Sequence, residues 1–245
     1  TCIRDRYWSS ERKEEKIEKE LFERAKVLRE KGDYLLHIED LWWVKDEQKL
    51  KSLIELKPFS CSLTWNFDND LAGGSKANGS LTLWGKKCLK ELTQNGVVID
   101  VAHLNRKSFW QVAKILRNHI YCSHTGFYDF RKHKRNLTDK QIDYIVRSNG
   151  FIGLFFFDQC TKNKNNIKEF CVHDIVENLN YFTSRWGFNN IGVGSDFYGI
   201  QNKPVGLSDY EDFENLKNEL QKAGYTKNQI ERIFYKNFKS FLSRL

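Results

Sequence analysis

Methionine is absent from all 245 residues, and proline occurs only twice. With so little proline and no stretch rich in glycine and serine, nothing reads as a linker. A single domain over residues 1–245 is therefore expected. No apolar run approaches the roughly 18–20 residues that a membrane-spanning helix needs, so a helical span is excluded. The six cysteines (Cys2, Cys61, Cys88, Cys122, Cys160, Cys171) show no Cys-x-x-Cys spacing. That excludes the small cysteine-bound zinc modules and a thioredoxin-type redox motif. Several of them fall in apolar stretches, so buried reduced thiols are expected, and with them a reducing, cytoplasmic setting. A chain that begins at Thr1 and has no methionine is expected to be a fragment, and residues 1–10, which fit no element, need not be native.

Aromatic residues, by contrast, are plentiful: 18 Phe, 10 Tyr and 7 Trp, enough for a sizeable core. The formal net charge is +8, from 40 Lys and Arg against 32 Asp and Glu. Basic residues read as a nucleic-acid surface only when they cluster among aromatics on one face. Here they are spread along helix faces and loops with acids between them, so no nucleic-acid partner is expected, while small acidic substrates remain compatible.

Two stretches organise the rest. Residues 96–103 (GVVIDVAH) and 119–124 (HIYCSH) are short apolar runs, rich in β-branched and aromatic residues, each ending in a histidine. That is how a strand buried on both faces reads. Between them, Phe109, Trp110, Val112, Ala113 and Leu116 recur at helical spacing, which completes a strand–helix–strand unit. Four further runs have the character of buried strands: residues 34–39, 59–64, 150–157 and 190–196. Helices are expected over 11–30, 47–56 (stopped by Pro58), 83–95, 106–118, 138–148, 170–186, 210–223 and 227–242, the last capped by Thr226. A polar loop over 68–80 is long enough to serve function. Strand followed by helix, six times over, argues a parallel sheet with right-handed crossovers. The fold class is therefore α/β, a TIM-type (α/β)8 barrel missing its first one or two strands.

Residues that bind metals or move protons stand at four of the strand ends: Glu39, His103, His124 and Asp196. Trp65-Asn66 and Phe157 stand at the other two. A lone histidine ending a strand is ordinarily a packed residue. Two at equivalent ends of adjacent strands point instead to a metal, because strands of a barrel aim their C-terminal ends at one mouth. Two imidazoles and a carboxylate suffice for catalytic zinc with a position left for water, and Asp196 could take that water's proton. The other histidines draw plainer readings. His119 opens a strand away from the mouth, and His133 and His173 are expected in solvent. His37 shares the face of Glu39 and could be a substitute ligand. Ser123 could suggest a nucleophile, but strand alternation turns it away from the side of His124.

These strand ends resemble the membrane (renal) dipeptidase family of zinc peptidases, a branch of the metal-dependent amidohydrolase barrels. The matching runs are His37-Ile-Glu39, Leu63-Thr-Trp-Asn66, Ile99-Asp-Val-Ala-His103, Ser123-His124, Lys134-Arg-Asn-Leu-Thr-Asp139 and Gly194-Ser-Asp-Phe-Tyr-Gly199. The likeness continues through Pro204-Val-Gly-Leu-Ser-Asp209 and Gly224-Tyr-Thr226. It implies a two-zinc centre that hydrolyses dipeptides. Glu39 would bridge both metals, and His103 and His124 would ligate the second. Arg135 would hold the substrate's C-terminal carboxylate, Asp196 would sit beside the bridging water and the substrate's amino group, and Phe157 and Trp65 would line the pocket.

Three departures accompany the likeness. No His-x-Asp pair precedes Glu39, so this chain keeps ligands for one Zn2+ plus the bridging carboxylate. Trp65 replaces a substrate-contacting histidine, which implies altered specificity. Tyr198 replaces a second acid after Asp196. The leading expectation is a zinc-dependent dipeptidase acting on a small-molecule dipeptide, with no membrane span and with a homodimer compatible. The alternatives are an amidohydrolase of another small amide, and a barrel of the same family that has lost catalysis and serves as a binding protein.

Overall fold

The computed structural model describes residues 35–162 and 169–245, together with Glu23, which is helical. The helix expected over 11–30, the start of the first strand at Tyr34, and Cys2 lie outside the described residues, Glu23 apart. The chain divides into two compact units, Thr1–Val112 and Ala113–Leu245.

The first unit carries three parallel strands: β1 (His37–Glu39), β2 (Ser60–Ser62) and β3 (Val98–Asp100). Their register sets His37 beside Ser60, Glu39 beside Ser62, and Ser62 beside Asp100. Between β1 and β2 runs the helix Glu47–Glu55. Asp46 caps it by accepting from the Lys49 amide at 2.9 Å, and Leu50 and Leu53 form its buried stripe. The chain then turns through Lys57, at φ 44°, before Pro58, where a helix cannot continue. Between β2 and β3 lies the helix Leu83–Gln94, capped by Thr82, with Cys88, Leu89 and Leu92 buried. The polar loop over 68–80 is stitched rather than loose: the Asp68 carboxylate accepts from the amides of Gly74 and Gly79.

The helix Arg106–Leu116 carries the chain into the second unit. There β4 (Tyr121–Thr125), β5 (Phe151–Leu154) and β6 (Ile191–Val193) are again parallel. The helix Asp139–Arg147 starts in a capping box, Thr138 with Gln141. The helix Val172–Trp186 buries Ile175, Val176, Leu179 and Phe182. The last helical stretch is one α-turn (Lys227–Glu231), capped as expected by Thr226, then a π-turn (Arg232–Lys236) and Asn237–Leu242. A short helix, Asp158–Thr161, was not legible in the sequence. Four cysteines, Cys61, Cys88, Cys122 and Cys160, are buried and unpaired by disulfides, and Cys171 is half-buried.

The strands are shorter than their apolar runs. Asp40, directly after β1, has φ 64°, and His103 and Asp196, three residues beyond the ends of β3 and β6, have φ of 68° and 57°. A left-handed residue cannot continue a strand, so β1 stops at Asp40, while β3 and β6 have already left the ladder at Asp100 and Val193. Aspartate, asparagine and histidine tolerate that conformation better than most residues, at a cost of order 1–3 kcal/mol each.

The register between β4 and β5 shifts: Cys122 faces Ile152, but Thr125 faces Leu154. Three steps on one strand oppose two on the other, which is a β-bulge at Ser123 and His124. Beside it, two glycines allow close backbone approach. A Cβ on Gly153 would lie 2.0 Å from the Ser123 carbonyl oxygen and 3.0 Å from the Gly194 Cα. Both neighbours are backbone, so neither yields cheaply. Gly153→Ala is expected to destabilise the chain by about 1–3 kcal/mol or more, read as a lower urea midpoint with unchanged slope.

Candidate metal centre

In the first unit, Glu39 ends β1 and His103 stands on the turn after β3. The Glu39 Oε1 is 2.9 Å from His103 Nε2, and both side chains are only 4% exposed. The other ring nitrogen of His103, Nδ1, is 3.0 Å from the Asn66 Oδ1, which also accepts from the Ser75 hydroxyl at 2.9 Å. The Trp65 ring is tilted against His103 with centroids 6.0 Å apart, and Phe67 flanks Trp65. His37 is engaged two residues back along β1. Its Nδ1 is 2.7 Å from Ser60 Oγ and its Nε2 3.6 Å from the Asp100 carboxylate. These contacts give it a place in the strand layer below Glu39 and account for it without a ligand's role.

Asp40 follows Glu39. Its amide donates to Ser62 Oγ and its carboxylate accepts from the Asn69 side chain at 3.0 Å. Burial, only partly offset by these hydrogen bonds, pushes its pKa up to about 6. The folded state therefore favours the protonated acid. Its contribution to stability is fullest below the ordinary carboxylate pKa and is lost as pH rises through 6. Asp40→Asn keeps the acceptor oxygen and suits the left-handed backbone. In chelator-treated protein it is expected to gain about 1–3 kcal/mol over wild type at pH 7.5 and nothing at pH 4, measured by urea unfolding at both values.

In the second unit, His124 lies on the bulge of β4 and is 2% exposed. Its Nδ1 is 2.7 Å from Ser123 Oγ. Strict alternation would send that hydroxyl away, and the bulge returns it to the imidazole. The Arg135 guanidinium donates from Nη2 to His124 Nε2 at 2.6 Å and to the His124 carbonyl at 3.1 Å, and it lies over the Phe155 ring. Asp196 Oδ2 is 3.9 Å from His124 Nε2, with its side chain 4% exposed. Phe157 packs against Phe155 and edge-on to His133.

His133 is thus not a solvated loop residue. Its Nδ1 is 3.0 Å from the Cys160 thiol and 3.2 Å from the Arg135 amide, which ties the Arg135 loop to the wall. Next to it, Asn136 donates to the carbonyls of Arg131 and Cys160. Tyr198 turns outward at 70% exposure, beside Tyr210 and Lys203. His173 is exposed near Glu177, as its position near a helix start suggested.

The first unit thus brings together Glu39, His103 and Trp65, and the second His124, Arg135 and Asp196. Asn66, Ser123 and Phe155 complete these groups and were given no role from the sequence. Asn66 and Ser123 each stood inside a recognised run, but nothing local marks a hydrogen-bond partner 37 residues away or a bulge. Among the described residues, no helix is long and apolar enough to cross a membrane.

Parallel strands joined by helices define an α/β protein, with imidazoles and carboxylates at or just beyond the ends of four strands. The family model for membrane dipeptidase (peptidase family M19) matches residues 23–243, and the chain belongs to that family. It is 28% identical over 185 residues to an uncharacterised protein in the pqqA 5′ region of Klebsiella pneumoniae, covering 71% of this chain and 67% of the relative. Over 178 residues it is 24% identical to an uncharacterised dipeptidase of Schizosaccharomyces pombe, covering 69% of this chain and 42% of that one. Among solved structures, a metallopeptidase from Rhodobacter sphaeroides, liganded with a phosphinate mimic of the dipeptide L-Ala-D-Ala, superposes with a TM-score of 0.80 at 24% identity. The match covers 86% of this chain and 63% of that structure. The chain therefore spans about two thirds or less of these three proteins. Its fold class is the α/β, TIM-barrel type of these relatives, with six strands among the described residues.

Proposed function

We propose that the chain is a zinc-dependent dipeptidase in which Glu39, His103 and His124 hold one Zn2+. The observation that carries this is the 2.9 Å approach of a carboxylate oxygen to an imidazole nitrogen, both withdrawn from water. Two such electron-rich atoms repel unless a cation lies between them, a proton or a metal. The donor set supports the metal: two imidazoles and a carboxylate are what catalytic zinc takes while keeping a position for water. Membership of the membrane dipeptidase family supports the reaction.

When bound, zinc supplies a Lewis acid for the peptide carbonyl and a water whose pKa falls to about 7. The remaining roles belong to this chain's own residues. Asp196 accepts the proton from the attacking water and delivers it to the departing amine. Arg135 turns its fork from His124 to the substrate's C-terminal carboxylate, a planar bidentate match that lysine cannot reproduce. Trp65 and Phe157 give the dipeptide side chains apolar surface.

The test is zinc content after reconstitution of the 245-residue chain, together with amino-acid release from a panel of dipeptides. One zinc per chain and chelator-sensitive hydrolysis are expected. A chain that takes up no zinc sinks the proposal, and one that binds zinc and dipeptides without turnover transfers the case to the binding-protein reading.

A further inference from the structure

We infer that Asn66 and Ser123 are positioning residues that keep a hydrogen on Nδ1 of His103 and of His124, so that Nε2 is the nitrogen each ring offers to a metal, which at His103 would take the place of the proton shared with Glu39. The inference rests on the metal reading for its purpose, since Nε2 is then the atom each ring presents to the ion. The proton assignments themselves follow from hydrogen-bond chemistry.

At His103 the partner of Nδ1 is the carbonyl oxygen of Asn66. A carbonyl oxygen has no hydrogen to give, so the hydrogen in that contact belongs to Nδ1. The Ser75 hydroxyl donates to the same oxygen at 2.9 Å. His103 needs such a hold. It is a non-glycine residue at φ 68°, and its ring direction is set by Asn66 on one side and Glu39 on the other.

At His124 the argument starts from the opposite nitrogen. Nε2 is 2.6 Å from a guanidinium nitrogen of Arg135, and guanidinium only donates. Nε2 is therefore the acceptor of a neutral imidazole, and Nδ1 carries the hydrogen toward Ser123 Oγ at 2.7 Å. Ser123 reaches it through the bulge in β4, and Gly153 and Gly194 leave room for the displaced Ser123 carbonyl.

Two unrelated devices, a side chain 37 residues away and a bulged neighbour, thus reach one result. Metal-bound histidines nearly always donate their second N–H to an oxygen, and losing that partner costs roughly 10–100-fold in metal affinity.

The experiment is competition of Zn2+ between a chromophoric chelator and wild-type, Asn66→Leu, Asn66→Asp, Ser123→Ala and Ser123→Thr chains. Imidazole 15N spectra of the metal-free chains are recorded alongside. Asn66→Leu and Ser123→Ala are expected to weaken zinc binding about 10–100-fold. Asn66→Asp and Ser123→Thr keep the acceptor and should keep the affinity. Leu and Ala variants that bind zinc as wild type does overturn the inference, as does equal loss in the conservative pair, which would mark a merely structural role. If Asn66→Leu does not fold, the Ser123 pair decides. A wild-type chain without zinc overturns the metal reading instead. The tautomer is then judged on the His124 spectrum of the metal-free chain, where hydrogen on Nδ1 is expected and hydrogen on Nε2 overturns it.

Discussion

Glu39→Gln is expected to abolish zinc binding at concentrations that saturate the wild-type chain. The loss should exceed the roughly 10–100-fold that removal of an outer hydrogen-bond partner costs, because the change removes a ligand itself. Glutamine keeps the length and volume of the side chain but is a neutral amide, so the carboxylate facing His103 Nε2 at 2.9 Å disappears without a cavity being made. A second effect accompanies it. In the metal-free chain Glu39 and His103 form an almost fully buried pair, and removing one partner of such a pair typically costs about 3–5 kcal/mol. The variant should therefore show a lower melting temperature than wild type in chelator as well as a missing zinc. Isothermal titration and thermal unfolding read the two effects separately. Zinc binding at wild-type affinity by Glu39→Gln would place the ion elsewhere.

Asp196→Asn is expected to lower kcat by about 10²–10⁴-fold, the range in which a positioned general base acts, with zinc affinity nearly unchanged. The substitution is conformationally mild. Asp196 sits at φ 57°, which asparagine adopts as readily as aspartate, and the side chain is only 4% exposed. What is lost is the ability to accept a proton next to His124, whose Nε2 lies 3.9 Å from Oδ2. Steady-state kinetics on a dipeptide, with zinc content measured on the same sample, decides the case. If zinc is lost in proportion to activity, Asp196 acts as a ligand and not as a base.

Both predictions rest on residues that were legible as strand ends. The runs before Glu39, His103, His124 and Asp196 are apolar and too short for a helix, and a polar residue closes each one. That pattern arises because strands buried on two faces must be apolar throughout, while the turn that follows returns to water and substrate. What the pattern does not carry is where the strand stops. The left-handed Asp40 ends β1, β3 and β6 stop three residues short of the left-handed His103 and Asp196, and a positive φ leaves no periodic trace in the sequence. His133 was misread as solvated because its partner, the Cys160 thiol, arrives from a short helix that no local signal announced.

By itself, then, the sequence determined the order of the strands and of the longer helices, the cap at Thr226, the family, and four strand-end side chains of metal-binding type. These follow from local propensity, hydrophobic period and residue type, which are properties of neighbours along the chain. Only the tertiary structure decided how the side chains are held. It set Asn66 against His103, and it bulged β4 so that Ser123 serves His124. It also laid Arg135 on the same ring and put His37 in a separate layer with Ser60 and Asp100. Hydrogen-bond partners brought from distant segments, and a one-residue slip in strand register, depend on packing between elements, and no local pattern of residues encodes them.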